Sequence, residues 1–189
     1  MDADEIKAWR RAERERLIAL RMALPAAARR EMGVRITVSL RNLLTEQPGV
    51  LGIYWPFRAE FDPRPLVDAL AAAGHSVALP VVVDRKGPLE YRAWAPGEAL
   101  IAGVWDIPIP EQRRIVAPST VLAPVVGFDR GCYRLGYGGG YFDRTLAALE
   151  PRPLAIGVGF ACQEIATIHP QDFDIAMDLI VTEGGIRRR

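Results

Sequence analysis

The chain has 189 residues, half of them apolar, and its 24 basic and 23 acidic side chains leave a formal net charge of +1. That length suits one core, so a single domain over residues 1–189 is expected, and the near-neutral balance removes the bulk attraction that nucleic acid or an anionic membrane surface would require. No apolar run approaches the roughly 20 residues of a membrane helix, the opening MDADEIKAWRRAERER lacks the apolar stretch of a signal peptide, and Cys132 and Cys162 form no metal-ligand or disulfide pattern, which points to a reduced, cytoplasmic protein.

Asp2 or Asp4 can cap a helix that starts near Glu5. In it Ile6, Trp9, Leu17, Leu20 and Leu24 recur near a helical period until Pro25. A second helix is expected from Ala26 to Thr45, with Val34, Val38 and Leu44 on its buried side, and Pro48-Gly49 breaks the chain. The run VLGIYW then reads as a buried strand. FDPRPLVDALAAAG follows as a helix with Asp62 as N-cap, prolines in its first turn and Gly74 at its stop. SVALPVVV is a second strand and LEYRAW an exposed, alternating one, while the Gly- and Pro-containing stretch from Ala95 to Pro118 reads as loop. TVLAPVVGF, LAIGVGF and DLIVTE complete the strands, and Arg187 to Arg189 reads as a frayed end. Continuous apolar strands alternating with helices favour an α/β fold with a mostly parallel sheet covered on both faces, behind an N-terminal helical pair.

The chemistry concentrates in GFDRGCYRLGYGGGYFDRTL, residues 127–146. This segment leaves the end of a buried strand, holds five glycines between Gly131 and Gly140, and resumes apolar helical character at Tyr141. Glycines there permit positive φ angles and let backbone N–H groups approach a ligand closely. A helix starting near Gly140 adds unpaired N-terminal donors and its dipole. Together these make an anion site, and phosphate is the usual anion. Arg134 is placed to hold a phosphate from the loop side, and Asp143, in the first helical turn, to hold a hard cation such as magnesium. The loop is not a Walker A sequence, since no Gly-Lys-Ser/Thr follows, and G-x-G-x-x-G fails because the position three beyond Gly138 is Tyr141. On these grounds alone a glycine-rich structural turn stands level with a phosphate site.

RLGYGGGYFDR, preceded by FDRGCY, resembles the signature of the 5-formyltetrahydrofolate cyclo-ligase family, close to F-D-x-x-G-x-R-L-G-x-G-x-G-Y-Y-D-R. The chain departs from it mainly at Phe142, where tyrosine is common, and Cys132 reads as a variable position. IKAWRRAERERL is similar to the family's N-terminal basic helix and GIYWPFRAEFD to its Y-x-P-x-x-x-E-x-D segment. LPVVV, VWDIPIP and DLIVTE follow in the family's order, so the resemblance spans nearly the whole chain. It implies a Rossmann-like three-layer α/β/α fold. The implied reaction is the cyclisation of 5-formyltetrahydrofolate to 5,10-methenyltetrahydrofolate, with ATP and Mg2+ required and ADP and phosphate released. The implied partner is that small-molecule substrate, with neither nucleic acid nor membrane, and a monomer is expected.

The resemblance also distributes roles. Lys7 and Arg11, one helical turn apart, would meet ATP phosphates, against the reading of a solvated charged face; Arg10 takes Arg11's place if the helix is rotated. Arg134, Leu135, Gly136, Tyr137, Gly138, Gly139, Gly140, Tyr141 and Phe142 would form the nucleotide loop, with Arg134 and Asp143 catalytic. Glu60 would contact the folate, where a surface loop acid is the plain alternative. Tyr54, Trp105 and Tyr141 would give that folate aromatic walls, although for one of Tyr54 and Trp55 the core is the safer placement. Asp143 and Asp178 would hold the metal, Asp178 being otherwise a strand-entry acid. His75 and His169 receive no role, and nothing marks Cys132 as a nucleophile. Three alternatives stand beside this reading: a family member diverged to another substrate, a nucleotide-binding regulatory module without turnover, and an RNA binder using its arginine-rich helices.

Overall fold

The computed structural model describes residues 1–45 and 49–189; the expected break at Pro48 lies outside them. Helix α1 (Ala3–Ala23) is capped by Asp2, whose side chain accepts from the Glu5 backbone while Glu5 reaches back to the Asp2 N–H. Leu24, in extended conformation before Pro25, ends it. Helix α2 (Ala26–Leu44) follows at once. Its buried stripe is Ile36, Leu40 and Leu44, four residues apart. Val34, 64% exposed, and Val38 fall on the opposite face, so of the three expected buried positions only Leu44 is inside.

The strands are β1 (Val50–Gly52), β2 (Ser76–Val81), β3 (Glu90–Trp94), β4 (Leu100–Ala102), β5 (Pro108–Pro110), β6 (Thr120–Pro124), β7 (Gly127–Phe128), β8 (Arg134–Leu135), β9 (Leu154–Val158), β10 (Leu179–Thr182) and β11 (Gly185–Arg188). Two short helices, α3 (Val67–Ala72) and α4 (Tyr141–Ala148), join them. One 3-10 turn, Arg64–Leu66, leads into α3, and Asp62 accepts the Arg64 N–H there, as a capping residue should. Among the described residues a seven-stranded sheet has the order β11-β10-β9-β6-β1-β2-β3. Its central strands are parallel, and both edges, β3 and β11, are antiparallel.

Helices α2 and α3 cover one face, setting Ile36, Leu40, Leu66 and Leu70 against Leu51, Ile53 and Leu122. Helix α4 covers the other through Leu146, which packs with Val121, Ala123 and Ile180. Each such side chain, fully buried, contributes about 1.5–3 kcal/mol. The third cluster, Leu17, Val126, Leu135 and Ile168, fastens α1 over the β6 end of the sheet. The result is the three-layer α/β/α arrangement with its N-terminal helical pair. No helix among the described residues is long and apolar enough to cross a membrane.

Two expectations are corrected. The stretch expected as loop between Ala95 and Pro118 contains the β4–β5 hairpin, whose short strands carry prolines at edge positions that a run-length reading passes over. The expected frayed end is β11: the Gly184-Gly185 turn folds it back on β10, with Ile186 opposite Val181, and Arg187 bonds Glu164. Strand β3 is an edge, as its alternating character suggested. It is nevertheless covered by residues 114–116, since the Ala93 N–H donates to Arg114 and the Val116 N–H to Tyr91.

From β1 the chain moves one way across the sheet, to β2 and β3; from β6 it moves the other way, to β9, β10 and β11. The loops that leave the carboxyl ends of β1 and β6 therefore part over a crevice, where open α/β sheets bind ligands.

Candidate active site

A cleft of about 560 Å³ occupies that crevice. Its floor includes Tyr54, Pro80 and Pro124, at or just beyond the ends of β1, β2 and β6. One wall is the glycine-rich loop. The β7–β8 hairpin presents that loop and is pinned by the buried Asp129, which accepts from the backbone N–H groups of Gly131, Tyr133 and Ile168. Within the hairpin Cys132 sits at φ 61°. Counted from Phe128, the pattern F-D-x-x-G-x-R-L puts its glycine on residue 132, so this is not a free position but one with a left-handed backbone. A side chain there costs about 1–2 kcal/mol.

Beyond Leu135 the loop turns through Gly138 (φ 95°) and Gly140 (φ 65°) into α4. A β-carbon on Gly138 would lie in contact with the Arg14 guanidinium, 3.4 Å from its central carbon. Gly140 is the N-cap and offers no side chain, so the first-turn N–H groups of α4 have no capping acceptor. These uncapped donors are the geometry that an anion cradle requires. Arg134 stands behind it, buried, with Nη2 donating to Asp143 Oδ2 at 3.0 Å and its guanidinium 4.9 Å from the Phe142 ring centroid. Its Nε is buried without a partner, a donor left for something that enters the cleft. Burial pushes its pKa down, and the Asp143 carboxylate counters that shift.

The whole run from Arg134 to Asp143 lines the cleft, together with Tyr54, Glu60 and Trp105. Trp105 is 63% exposed and meets Tyr141 edge-on at 6.0 Å, so the β4–β5 hairpin and the start of α4 form an aromatic mouth. Tyr54 forms floor rather than a free polar contact, since its hydroxyl is committed to the Phe61 carbonyl at 2.9 Å.

Three expected site residues are not in the cleft lining. Arg11 is 83% exposed and pairs with Glu15, and Lys7 is exposed on the same helix. Arg10 and Arg14 line the cleft in their stead. The reason is rotation: one residue turns an α-helix by about 100°, which carries Arg11 from the cleft side into solvent. Arg14 Nε donates to the Gly136 carbonyl at 2.8 Å, and Arg10 is bonded to Ile168, His169 and Asp174. Asp178 lies at the amino end of β10, away from the strand ends that face the cleft, and is bonded to Arg152 and the Ala155 N–H. The second aspartate in the lining, beside Asp143, is Asp174.

Among the described residues no cluster of three ligating side chains could enclose a metal ion. Magnesium does not need one, because it takes one or two carboxylates and completes its shell with phosphate and water oxygens. Asp143 fits that requirement: it lines the cleft beside the anion cradle, with Oδ1 held by the Ile175 N–H at 3.2 Å.

Glu60 stands across the cleft in a turn whose two preceding residues, Arg58 and Ala59, both have left-handed backbones. Its carboxylate is only 3% exposed, accepts from the Phe57 N–H at 2.8 Å and from the Tyr137 hydroxyl at 2.9 Å, and has its pKa raised by burial, with nearby Arg21 opposing the shift. Arg21 and Asp174 were missed in the sequence. For Arg21 a signal existed: positions 10, 14, 17, 21 and 24 step by four and three along α1, and that stripe, arginines included, faces inward.

The 5-formyltetrahydrofolate cyclo-ligase family profile matches residues 6–183. This chain belongs to that family. The 5-formyltetrahydrofolate cyclo-ligase of Escherichia coli K12 is 30% identical over 173 residues, covering 86% of this chain and 93% of its own. The Haemophilus influenzae Rd cyclo-ligase is 26% identical over 173 residues, with 86% and 91% covered. The solution structure of Aquifex aeolicus 5,10-methenyltetrahydrofolate synthetase superposes with a TM-score of 0.82 at 26% identity, over 95% of this chain and 92% of that one. The Mycoplasma pneumoniae synthetase, at 22% identity and a TM-score of 0.77 over 92% and 98%, shares the fold.

Proposed function

We propose that this cyclo-ligase family member closes 5-formyltetrahydrofolate to 5,10-methenyltetrahydrofolate, with ATP as second substrate and Mg2+ bound at Asp143. The observation that carries this reading is that one cleft joins an anion cradle, with the unpartnered Arg134 Nε behind it, to a buried carboxylate, Glu60, under aromatic walls. The two halves suit the two substrates. A formamide oxygen is a poor leaving group. Transfer of the γ-phosphoryl group to it, with loss of ADP, converts it to a good one; N10 then attacks the formyl carbon, its proton is lost to water, and phosphate departs to leave the methenyl cation.

The protein's part is positioning and charge neutralisation. The loop N–H groups and Arg14 hold the phosphates, and Arg134 Nε donates to the group in transfer. Glu60 accepts N–H bonds from the pterin edge, and Trp105 and Tyr141 flank the flat ring. Bound magnesium would neutralise phosphate charge.

The test combines purified protein with 5-formyltetrahydrofolate, ATP and Mg2+ and follows the ultraviolet band of the conjugated methenyl cation. A rise that needs all three additions is expected. ATP binding without any rise would move the function to another substrate or to a regulatory role. The arginine placement adds a sharper expectation. Arg14→Ala raises the KM for ATP about tenfold or more, the size of one charge-assisted hydrogen bond, whereas Arg11→Ala leaves it unchanged; steady-state kinetics over an ATP series separates the two.

A further inference from the structure

Arg21 is the largest fully buried side chain of α1, at 1% exposure, in a helix whose other arginines mostly reach solvent or the cleft. An arginine with five donors is costly to bury unless those donors are used. Here Nε donates to the Arg58 carbonyl at 3.0 Å, Nη1 to the Val125 carbonyl at 3.2 Å, and Nη2 to the Tyr137 hydroxyl at 2.7 Å. That hydroxyl donates in turn to Glu60 Oε1 at 2.9 Å, and Nη2 lies 3.8 Å from the same oxygen. A single guanidinium thus ties the turn that carries Glu60, the segment just beyond β6 and the glycine loop. Only one link in this chain belongs to the loop: the hydroxyl of Tyr137, whose ring is partly exposed beside Phe57. The Arg21 side chain is too buried to touch a substrate.

We propose that Arg21 is a positioning residue which, through the Tyr137 hydroxyl, couples the glycine loop to Glu60, so that nucleotide on the loop tightens the folate half of the cleft. The proposal rests on the assignment of the loop to nucleotide and Glu60 to folate. The physical basis is that a loop ordered by phosphate fixes Tyr137, and a fixed Tyr137 holds Glu60 in its acceptor geometry. The entropy of ordering that carboxylate is then spent once for both ligands. Coupling of this kind is reciprocal, so folate must tighten nucleotide by the same factor.

The experiment titrates 5-formyltetrahydrofolate into the full-length protein by calorimetry, with Mg2+ and with or without a non-hydrolysable ATP analogue. Wild type is expected to bind folate at least about fivefold more tightly with the analogue present. Tyr137→Phe removes one oxygen, and in it the two affinities should become equal while its melting temperature stays near that of the wild type. Arg21→Lys, which retains the charge but cannot make all three bonds, should lose most of the coupling too. No coupling in wild type, or full coupling retained in Tyr137→Phe, overturns the proposal. The underlying site assignment fails in a different way: Glu60→Gln would then bind folate as tightly as wild type, whatever happens to the coupling.

Discussion

Glu60→Gln should raise the KM for 5-formyltetrahydrofolate by about 100-fold and the KM for ATP by no more than the coupling carried through Tyr137, about fivefold. The first figure is the loss of charge assistance in two N–H bonds to a carboxylate, each worth about 1.5–3 kcal/mol when one partner is ionised. Part survives, because glutamine keeps one carbonyl oxygen, hence an estimate at the low end of the sum. The second figure follows from position, since Glu60 lies on the loop after β1 and the anion cradle on the loop after β6, so only the indirect link through Tyr137 joins them. Glutamine also preserves the acceptor for the Phe57 N–H, which keeps the strained Arg58-Ala59 turn in place. Steady-state kinetics with each substrate varied in turn checks both numbers. Equal losses for the two substrates would make Glu60 a structural residue of the turn rather than a substrate contact.

Asp143→Asn should lower kcat by about 100-fold or more and move the magnesium titration to higher concentrations, with a lowered melting temperature because the buried Arg134 loses its counter-charge. The amide oxygen of asparagine can still accept from the Ile175 N–H or from Arg134, so the packing at the start of α4 is preserved. What disappears is the negative charge that balances the buried Arg134 guanidinium and that the proposed function assigns to a hard cation. The scale matches the loss of one preorganised electrostatic group at a reacting centre. Turnover measured against magnesium concentration, with thermal melts as the control, distinguishes the outcomes. Wild-type turnover in the variant would remove Asp143 from the metal.

These two residues were legible in the sequence for the same reason: both sit in short segments whose spacing the backbone dictates. Asp143 follows Gly140 by one helical turn, and Glu60 follows the end of β1 through a short proline-containing loop, so local geometry alone delivers each to the strand ends. Lys7 and Arg11 were not legible in this way. Which side of α1 faces the cleft depends on how Leu17 packs against Val126, Leu135 and Ile168, contacts made with residues more than a hundred positions away. Asp178 and Asp174 differ by one helical turn in sequence number but lie in irregular chain. Only the path of the loop before β10, pinned by the Arg10–Asp174 pair, decides which one reaches the cleft.

The sequence by itself determined the α/β class, the parallel order implied by continuous apolar strands, the glycine-rich turn that leads into α4, and the family. All of these are written in residue type and short spacing, which act through local backbone preference and hydrophobic periodicity. The tertiary structure alone decided the inward face of α1, the return of β11, the β4–β5 hairpin that brings Trp105 to Tyr141, and the burial of Arg21 against Tyr137 and Glu60. Each of these depends on contacts between segments distant in sequence, where a rotation of one residue or the closing of one turn exchanges a solvated side chain for a buried one.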